Sequence, residues 1–294
     1  MAYRPMLRPG AAVLRRDAAH LQVGTSPGTV LADRPGLHRL LLALDGLHGP
    51  DWLAEQVPEI GVHVADVLAR LTAAGVVLDA AACGGRRPEE ARRLALIGRD
   101  PVLAAKRRHF RVALHPDPGA RALLGTVGEI VSAAGVDVRT DGDVDLLVVA
   151  SCGEPARGAF AETVADGLPH LVVRVEEAVV RVGPFVLPGS TSCLGCQDLH
   201  RVDWDPGWAA VLPQLGRRAA QHNPPATGAV LRHAAAVAIA ADVVAVADGE
   251  RPLHAGAEVT MGPLHADRRV DPAPFHHRCT CALLPSVAGT TPVS

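Results

Sequence analysis

The sequence predicts an α/β protein in two parts: a small α+β region over residues 1–80 and a larger region over 111–294 in which strands and helices alternate, joined by a connector at 81–110. Three observations carry this. Within the first part the apolar period changes from short runs to a 3.6-residue stripe; a βαβ pattern begins at Arg111; and two cysteine pairs lie far apart in the second part, where together they supply ligands for one tetrahedral site. A chain of 294 residues with 48% hydrophobic content can bury two cores, and with aromatics at 3% those cores must be made of Leu, Val, Ile and Ala.

In the first part, residues 11–16, 20–25 and 29–33 are short strands, parted by Asp17-Ala18-Ala19 and Ser26-Pro27-Gly28, both good turn formers. Leu37, Leu40, Leu41 and Leu44 then fall at helical spacing, and the stripe stops at Asp45-Gly46. A short second helix covers 51–57. Val64, Val67, Leu68 and Leu71 repeat the spacing in a third helix ended by Gly75, and Val76, Val77 and Leu78 close the region as an apolar tail. Three strands and three helices, the last two as helix-turn-helix, make a winged-helix plan. A DNA reader of that plan needs cations along the third helix. Between His63 and Gly75 only Arg70 is cationic and Asp66 opposes it, so nucleic acid is not the expected partner; the net charge of -2 agrees.

Residues 79–90 (DAAACGGRRPEE) have linker composition and mark the boundary, and the basic stretch 86–111 reads as a solvated connector with a helix over 92–108 interrupted at Pro101. A strand follows at 111–115, then a helix with Leu123, Leu124, Val127, Ile130, Val131 and Ala134 on one face, and a strand at 136–139: a βαβ unit of the doubly wound kind. The run 144–150, apolar apart from Asp145, reads as a central strand. A helix at 160–167 leads to a hairpin of 171–176 and 178–186. Last comes a long helix at 227–248 with Val230, Leu231, Ala234, Val237, Ala238, Ala241 and Ala245 inward. The nearest approach to a membrane span, 234–247, is too short and contains Asp242, so no membrane is expected. Residues 1–10 are polar and Pro-rich, unlike a secretory signal, which reads as cytoplasmic with reduced thiols.

The pairs are Cys193-Leu-Gly-Cys196 and Cys279-Thr-Cys281. Four thiols suit a closed structural Zn²⁺ site; Gly195 lets the backbone curl so that both sulfurs of the first pair face one point, and Pro188-Gly189 bends the chain before it. A disulfide, a redox C-x-x-C, and a mixed site with His276 or His277 replacing a thiol are the alternatives. Cys83 and Cys152 read as incidental small residues. His200, Arg201, Asp203, Asp205 and Trp208 lack a nucleophile for acid/base work and read as loop or interface beside the cysteines, with Trp208 as its anchor.

The runs 40–46 (LLLALDG) and 71–78 (LTAAGVVL) resemble the PqqD-like recognition element of peptide-modifying systems. A Rossmann-like unit with later cysteine knuckles resembles the ThiF/MoeB family, whose members adenylate a C-terminal carboxylate and need a glycine-rich turn after the first strand. Here that turn reads Pro116-Asp117-Pro118-Gly119-Ala120-Arg121, with two prolines and an anion where phosphates would lie; Asp141, after the next strand, reads as a turn former rather than a ribose-binding acid. The fold is expected to persist without ATP binding. Together with 188–215 (PGSTSCLGCQDLHRVDWDPGWAAVLPQL) and 276–281 (HHRCTC), the chain resembles the leader-peptide-binding proteins of thiazole/oxazole-modified peptide pathways, partners of YcaO cyclodehydratases.

That resemblance implies a non-catalytic scaffold. Its front part would take a precursor's leader as an added strand at Thr29, Val30, Leu31 and Ala32, beside Val64, Val67, Leu68, Arg70 and Leu71 of the third helix, while the rear part docks a YcaO-type cyclodehydratase. Helical spacing fits Val67, Leu68 and Leu71 equally well as core. Folds of this kind are often twofold, which implies a homodimer as an option. The alternatives are a ThiF/MoeB-like adenylating enzyme acting on a peptide carboxylate and a winged-helix DNA-binding regulator.

Overall fold

The computed structural model describes residues 3–25, 28–81, 103–140, 142–176, 178–219, 227–263 and 267–285. Cys83, Asp141 and the linker at 82–102 lie outside these. The chain divides into two units, Met1–Ala105 and Lys106–Ser294.

The first unit contains β1 (Pro5–Leu7), β2 (Val13–Arg15), β3 (His20–Val23), β4 (Thr29–Ala32), α1 (Leu37–Ala43), α2 (Pro50–Gln56), α3 (Val64–Ala73) and β5 (Val77–Asp79). Strands β2, β3 and β4 form an antiparallel meander in that order, with Leu21 opposite Leu31 and Gln22 opposite Val30, so β4 is an outer strand. Along it Thr29 and Leu31 are half-buried while Val30 and Ala32 are exposed, the alternation of a strand with one covered face. The core beneath is leucine-built, from Leu21, Leu37, Leu40, Leu41, Leu53, Leu68 and Leu71, with Leu31 and Val67 packed against it. One feature escaped the sequence reading: the apolar tail is a strand, β5, paired antiparallel with β1 from Pro5 opposite Asp79 to Leu7 opposite Val77. Three residues including a proline are too few to display a period, and the partner is remote in sequence.

The boundary between the units falls within α4 (Leu103–His109), and the second unit goes on with β6 (Arg111–Pro116), α5 (Arg121–Ala133), β7 (Asp137–Arg139), β8 (Leu146–Cys152), α6 (Gly158–Ala165), β9 (His170–Glu176), β10 (Val179–Val186), α7 (Leu194–Trp204), α8 (Trp208–Ala219), α9 (Ala229–Ala247), β11 (Ala257–Met261) and β12 (Arg268–Pro272). Its seven-stranded mixed sheet has the order β12-β11-β10-β9-β8-β6-β7; β7, β6, β8 and β9 are parallel and the rest antiparallel. The chain leaves β6 for β7 on one side and returns to β8 on the other, so the strand order reverses between β6 and β8.

Three expectations are corrected here. Helix α9 buries Leu231, Ala235, Ala236, Ile239, Ala240 and Val243 against the sheet, whereas Val230 and Val237 are 68% and 59% exposed. The helix is apolar on nearly every face, so no stripe betrays the inner one. Buried Asp242 settles the rotation instead, accepting the Leu253 N–H at 2.8 Å and pairing with the His254 ring. This is the one helix among the described residues long and apolar enough to cross a bilayer. The basic connector is partly core: Arg107 is buried and grips Asp248 bidentately at 2.6 and 2.7 Å. The segment carrying His200, Arg201 and Asp203 is helix α7, not loop.

Candidate functional site

After β10, the Thr191 hydroxyl accepts the Leu187 N–H at 2.7 Å and donates to the Phe185 carbonyl at 2.9 Å, which closes a turn and delivers Cys193 to the start of α7. Gly189, at φ +72°, lies so close to the Leu284 carbonyl that a Cβ would collide with it; this approach brings the second cysteine pair alongside the first. Cys193 Sγ is 3.7 Å from Cys279 Sγ, Cys196 Sγ is 3.3 Å from Cys281 Sγ, and all four sulfurs lie within 4.8 Å of one another. A disulfide needs about 2.05 Å. A tetrahedron with Zn–S of about 2.3 Å has edges near 3.8 Å, which these separations approach. A side chain at Gly195 would touch both Cys193 and Cys279 sulfurs, at 3.4 and 3.8 Å.

The mixed histidine alternative fails on hydrogen bonding. His276 is buried with Nε2 2.8 Å from Asp203 Oδ2, and its Nδ1 accepts the Arg278 N–H at 3.1 Å, so both ring nitrogens are engaged; exposed His277 stacks on it. The donor set is therefore four thiols. Burial pushes the Cys193 thiol up to about 11 and Cys281 higher still, while Cys279, although partly buried, is lowered by hydrogen bonds from the Cys281 amide and neighbouring thiols. A soft divalent cation such as zinc suits this set, replacing protons that crowded sulfurs otherwise keep.

In an open sheet of this order, ligands bind beyond the carboxyl ends of the parallel strands where the order reverses. Asp117 occupies that place between β6 and β8. Its N–H donates to the Ala150 carbonyl at 2.8 Å and its carboxylate accepts the Cys152 N–H at 3.3 Å, so an anion stands where phosphates would approach. The Cys152 thiol is raised by burial and then by the Asp117 charge, against a hydrogen bond from the Gly119 amide, which leaves it a poor nucleophile.

Sequence reasoning missed an ion network just past β8. Glu154 accepts from Arg157 and Arg201 at 2.8 Å and from the fully buried Arg174 at 2.9 Å; Arg174 also pairs with Glu258, and Arg181 joins Glu258 to Glu176 at 3.2 and 3.0 Å. Burial opposes the Glu154 charge, but Arg174, Arg157 and Arg201 outweigh it and hold the carboxyl at about 2. The available signal was Arg174 and Glu258, each a charge inside an otherwise apolar strand that must find a partner. A cavity of about 430 Å³ opens above, walled by Arg181, Arg201, Trp204 and Trp208. Trp208 is half-buried, with Arg201 4.7 Å above its ring and its indole N–H directed to Asp198 at 3.4 Å; the exposed tryptophan is Trp204, at 88%.

In the first unit the structure sorts the residues proposed for peptide binding. Val30 and Ala32 are exposed, Thr29 and Leu31 half-buried, and Arg70 is exposed on α3. Val64, Leu68 and Leu71 are buried in the leucine core and Val67 packs against it.

No family model matches the chain, and no curated protein matches it. Solved structures do. A heterocyclase in complex with substrate and cofactor superposes with a TM-score of 0.71 at 20% identity over 95% of this chain and 39% of that one. The heterocyclase TruD gives 0.67 at 21% over 95% and 43%. E. coli MccB gives 0.55 at 13% over 95% and 96%, and has been solved with ATP and with MccA. The chain thus spans about two fifths of the heterocyclase chains it resembles and shares the fold of all three.

Proposed function

We propose that this protein captures the leader of a ribosomally made precursor peptide along β4 and presents it to a YcaO-type cyclodehydratase for azoline formation, without bond chemistry of its own. The observation that carries the reading is β4 itself: an outer strand of uncharged residues, Thr29-Val30-Leu31-Ala32, with two side chains in solvent. A disordered leader laid along it gains main-chain hydrogen bonds, and the half-buried positions offer side-chain contact. In this reading residues 1–80 recognise peptide, 81–110 connect, and 111–294 hold the partner. Thr29, Val30, Leu31, Ala32 and Arg70 are the contacts; Val64, Val67, Leu68 and Leu71 act by shaping the unit. Likeness to heterocyclases, whose chains extend well beyond the matched part, supports assigning ring closure to a YcaO-type protein.

Cys193, Cys196, Cys279 and Cys281 would hold structural Zn²⁺, a closed site that ties α7 to the segment at 279–285 and offers substrate no open position. Asp117 supports a rear unit that does not bind ATP. A second reading, ATP-dependent adenylation of a peptide carboxylate, is favoured by the likeness to MccB, solved with ATP. Two measurements on the full chain separate them: calorimetric titration with a synthetic leader from a precursor encoded beside a YcaO gene, and ATP–pyrophosphate exchange with the same precursor. Saturable leader binding without exchange is expected. Absence of binding overturns the scaffold, and exchange installs the second reading.

A further inference from the structure

We infer that the peptide taken up on β4 is acidic at one position, where a carboxylate pairs with Arg34 in a basic notch at the end of that strand. The inference rests on the peptide-binding reading and adds what that reading lacks, a source of selectivity. Main-chain pairing along an edge is nearly blind to sequence, and the uncharged β4 contributes no charge of its own.

The notch encloses about 330 Å³ at the carboxyl end of β4, between Asp33-Arg34, the start of α1 and the turn before α3. It is lined by Arg15, Asp33, Arg34, His38, Arg39 and Glu59. Two of its guanidinium groups are already matched, Arg15 with Asp33 at 2.7 Å and Arg39 with Glu59 at 2.5 Å. That leaves Arg34 exposed and with no side-chain partner among the described residues, so the notch keeps a positive balance. A peptide strand paired along β4 and continuing past Ala32 runs directly by Arg34, since a strand advances about 3.3 Å per residue and presents alternate side chains to one side. A carboxylate there completes the third ion pair. A Lys or Arg there meets the unmatched Arg34 guanidinium instead of a counter-charge, so the same notch disfavours basic segments as well as choosing acidic ones.

The test pans a random twelve-residue peptide display library on the full-length protein and on its Arg34→Glu variant. Wild type is expected to enrich peptides in which apolar or β-branched residues alternate and Asp or Glu recurs at one offset from them. Arg34→Glu is expected to enrich Lys or Arg at that same offset, a gain of preference that a misfolded variant cannot produce. A synthetic peptide selected by wild type should bind Arg34→Glu about tenfold more weakly, about 1.4 kcal/mol, and its Glu→Lys version should reverse the order. Raising salt should erode both preferences. Enriched β-pairing peptides without a charge preference, or an acidic preference that survives Arg34→Glu, overturn this inference and leave the peptide-binding reading standing. No enrichment on wild type overturns that reading itself.

Discussion

The outer strands of the seven-stranded sheet and the outer strand β4 meet the same hazard with opposite chemistry. An unpaired strand edge is a template for another chain, and charges or proline discourage that pairing. At one margin of the large sheet, β7 reads Asp137-Val138-Arg139, its two charges paired at 2.6 Å. At the other, β12 reads Arg268-Arg269-Val270-Asp271-Pro272, with an Arg269–Asp271 pair at 2.7 Å and a last residue that has no N–H. Strand β4 has neither device. The contrast bears on where the proposed peptide strand would add: the second unit guards its margins and keeps its notable groups, the four cysteines and the Glu154 network, mostly buried, while β4 of the first unit is a plain edge in water.

If the second unit depends on those internal groups, disturbing them should produce the largest changes. Stripping metal with a strong chelator, or Cys281→Ser, should lower its melting temperature by more than about 10 °C, because ligand binding free energy at such sites is folding free energy. Metal content should reach one zinc per chain, and an unchanged melting temperature after verified metal removal would refute the staple. Arg174→Met should cost about 2–3 kcal/mol, read from denaturant unfolding, because Glu154 and Glu258 lose their shared buried partner but keep Arg157, Arg201 and Arg181; an unchanged stability would show that those remaining pairs and water compensate fully.

The network also predicts a pH dependence. Glu154 is held at about 2, below its ordinary value of 4.5. A depressed carboxyl contributes stability fully present above its unfolded value and lost as pH falls through the folded one, so on the order of 3 kcal/mol should disappear between about pH 4.5 and 2. In Glu154→Gln the acid limb of the stability curve should flatten over that window.

The edges can be exchanged. Val30→Glu with Ala32→Glu gives β4 charges like those of the guarded margins and repels an acidic peptide; since both side chains are exposed, peptide binding should fall more than about tenfold with the melting temperature unchanged. Retained affinity would mean that the peptide binds elsewhere. The converse change, Arg269→Thr with Asp271→Thr, removes the guard from β12 and should produce slow, concentration-dependent self-association in light scattering, the smallest of these effects because Pro272 remains.

Much was legible before any coordinates. The three-stranded sheet and three helices of the first unit, the βαβ entry to the second, the proline-bearing turn at 116–121 and the four-thiol set all rest on local signals: a period, a turn residue, a ligand spacing. What escaped has a weak local signal or none. The β1–β5 pair is too short to show a period, and Arg107 looked solvated because nothing near it in sequence reveals Asp248. The missed Glu154 network draws on the loop after β8 and on β9, β10, β11 and α7 at once.

The amino-acid order by itself determined most of the longer strands and helices and the presence of four thiols able to hold a metal, because backbone preference and donor chemistry are properties of neighbours in the chain. Only the tertiary structure decided which face of the uniformly apolar α9 is inward, that Leu68 and Leu71 are core while Arg34 finds no side-chain partner among the described residues, and which strand margins are left open. Those outcomes depend on burial and on partners brought together through space, which no window of sequence contains.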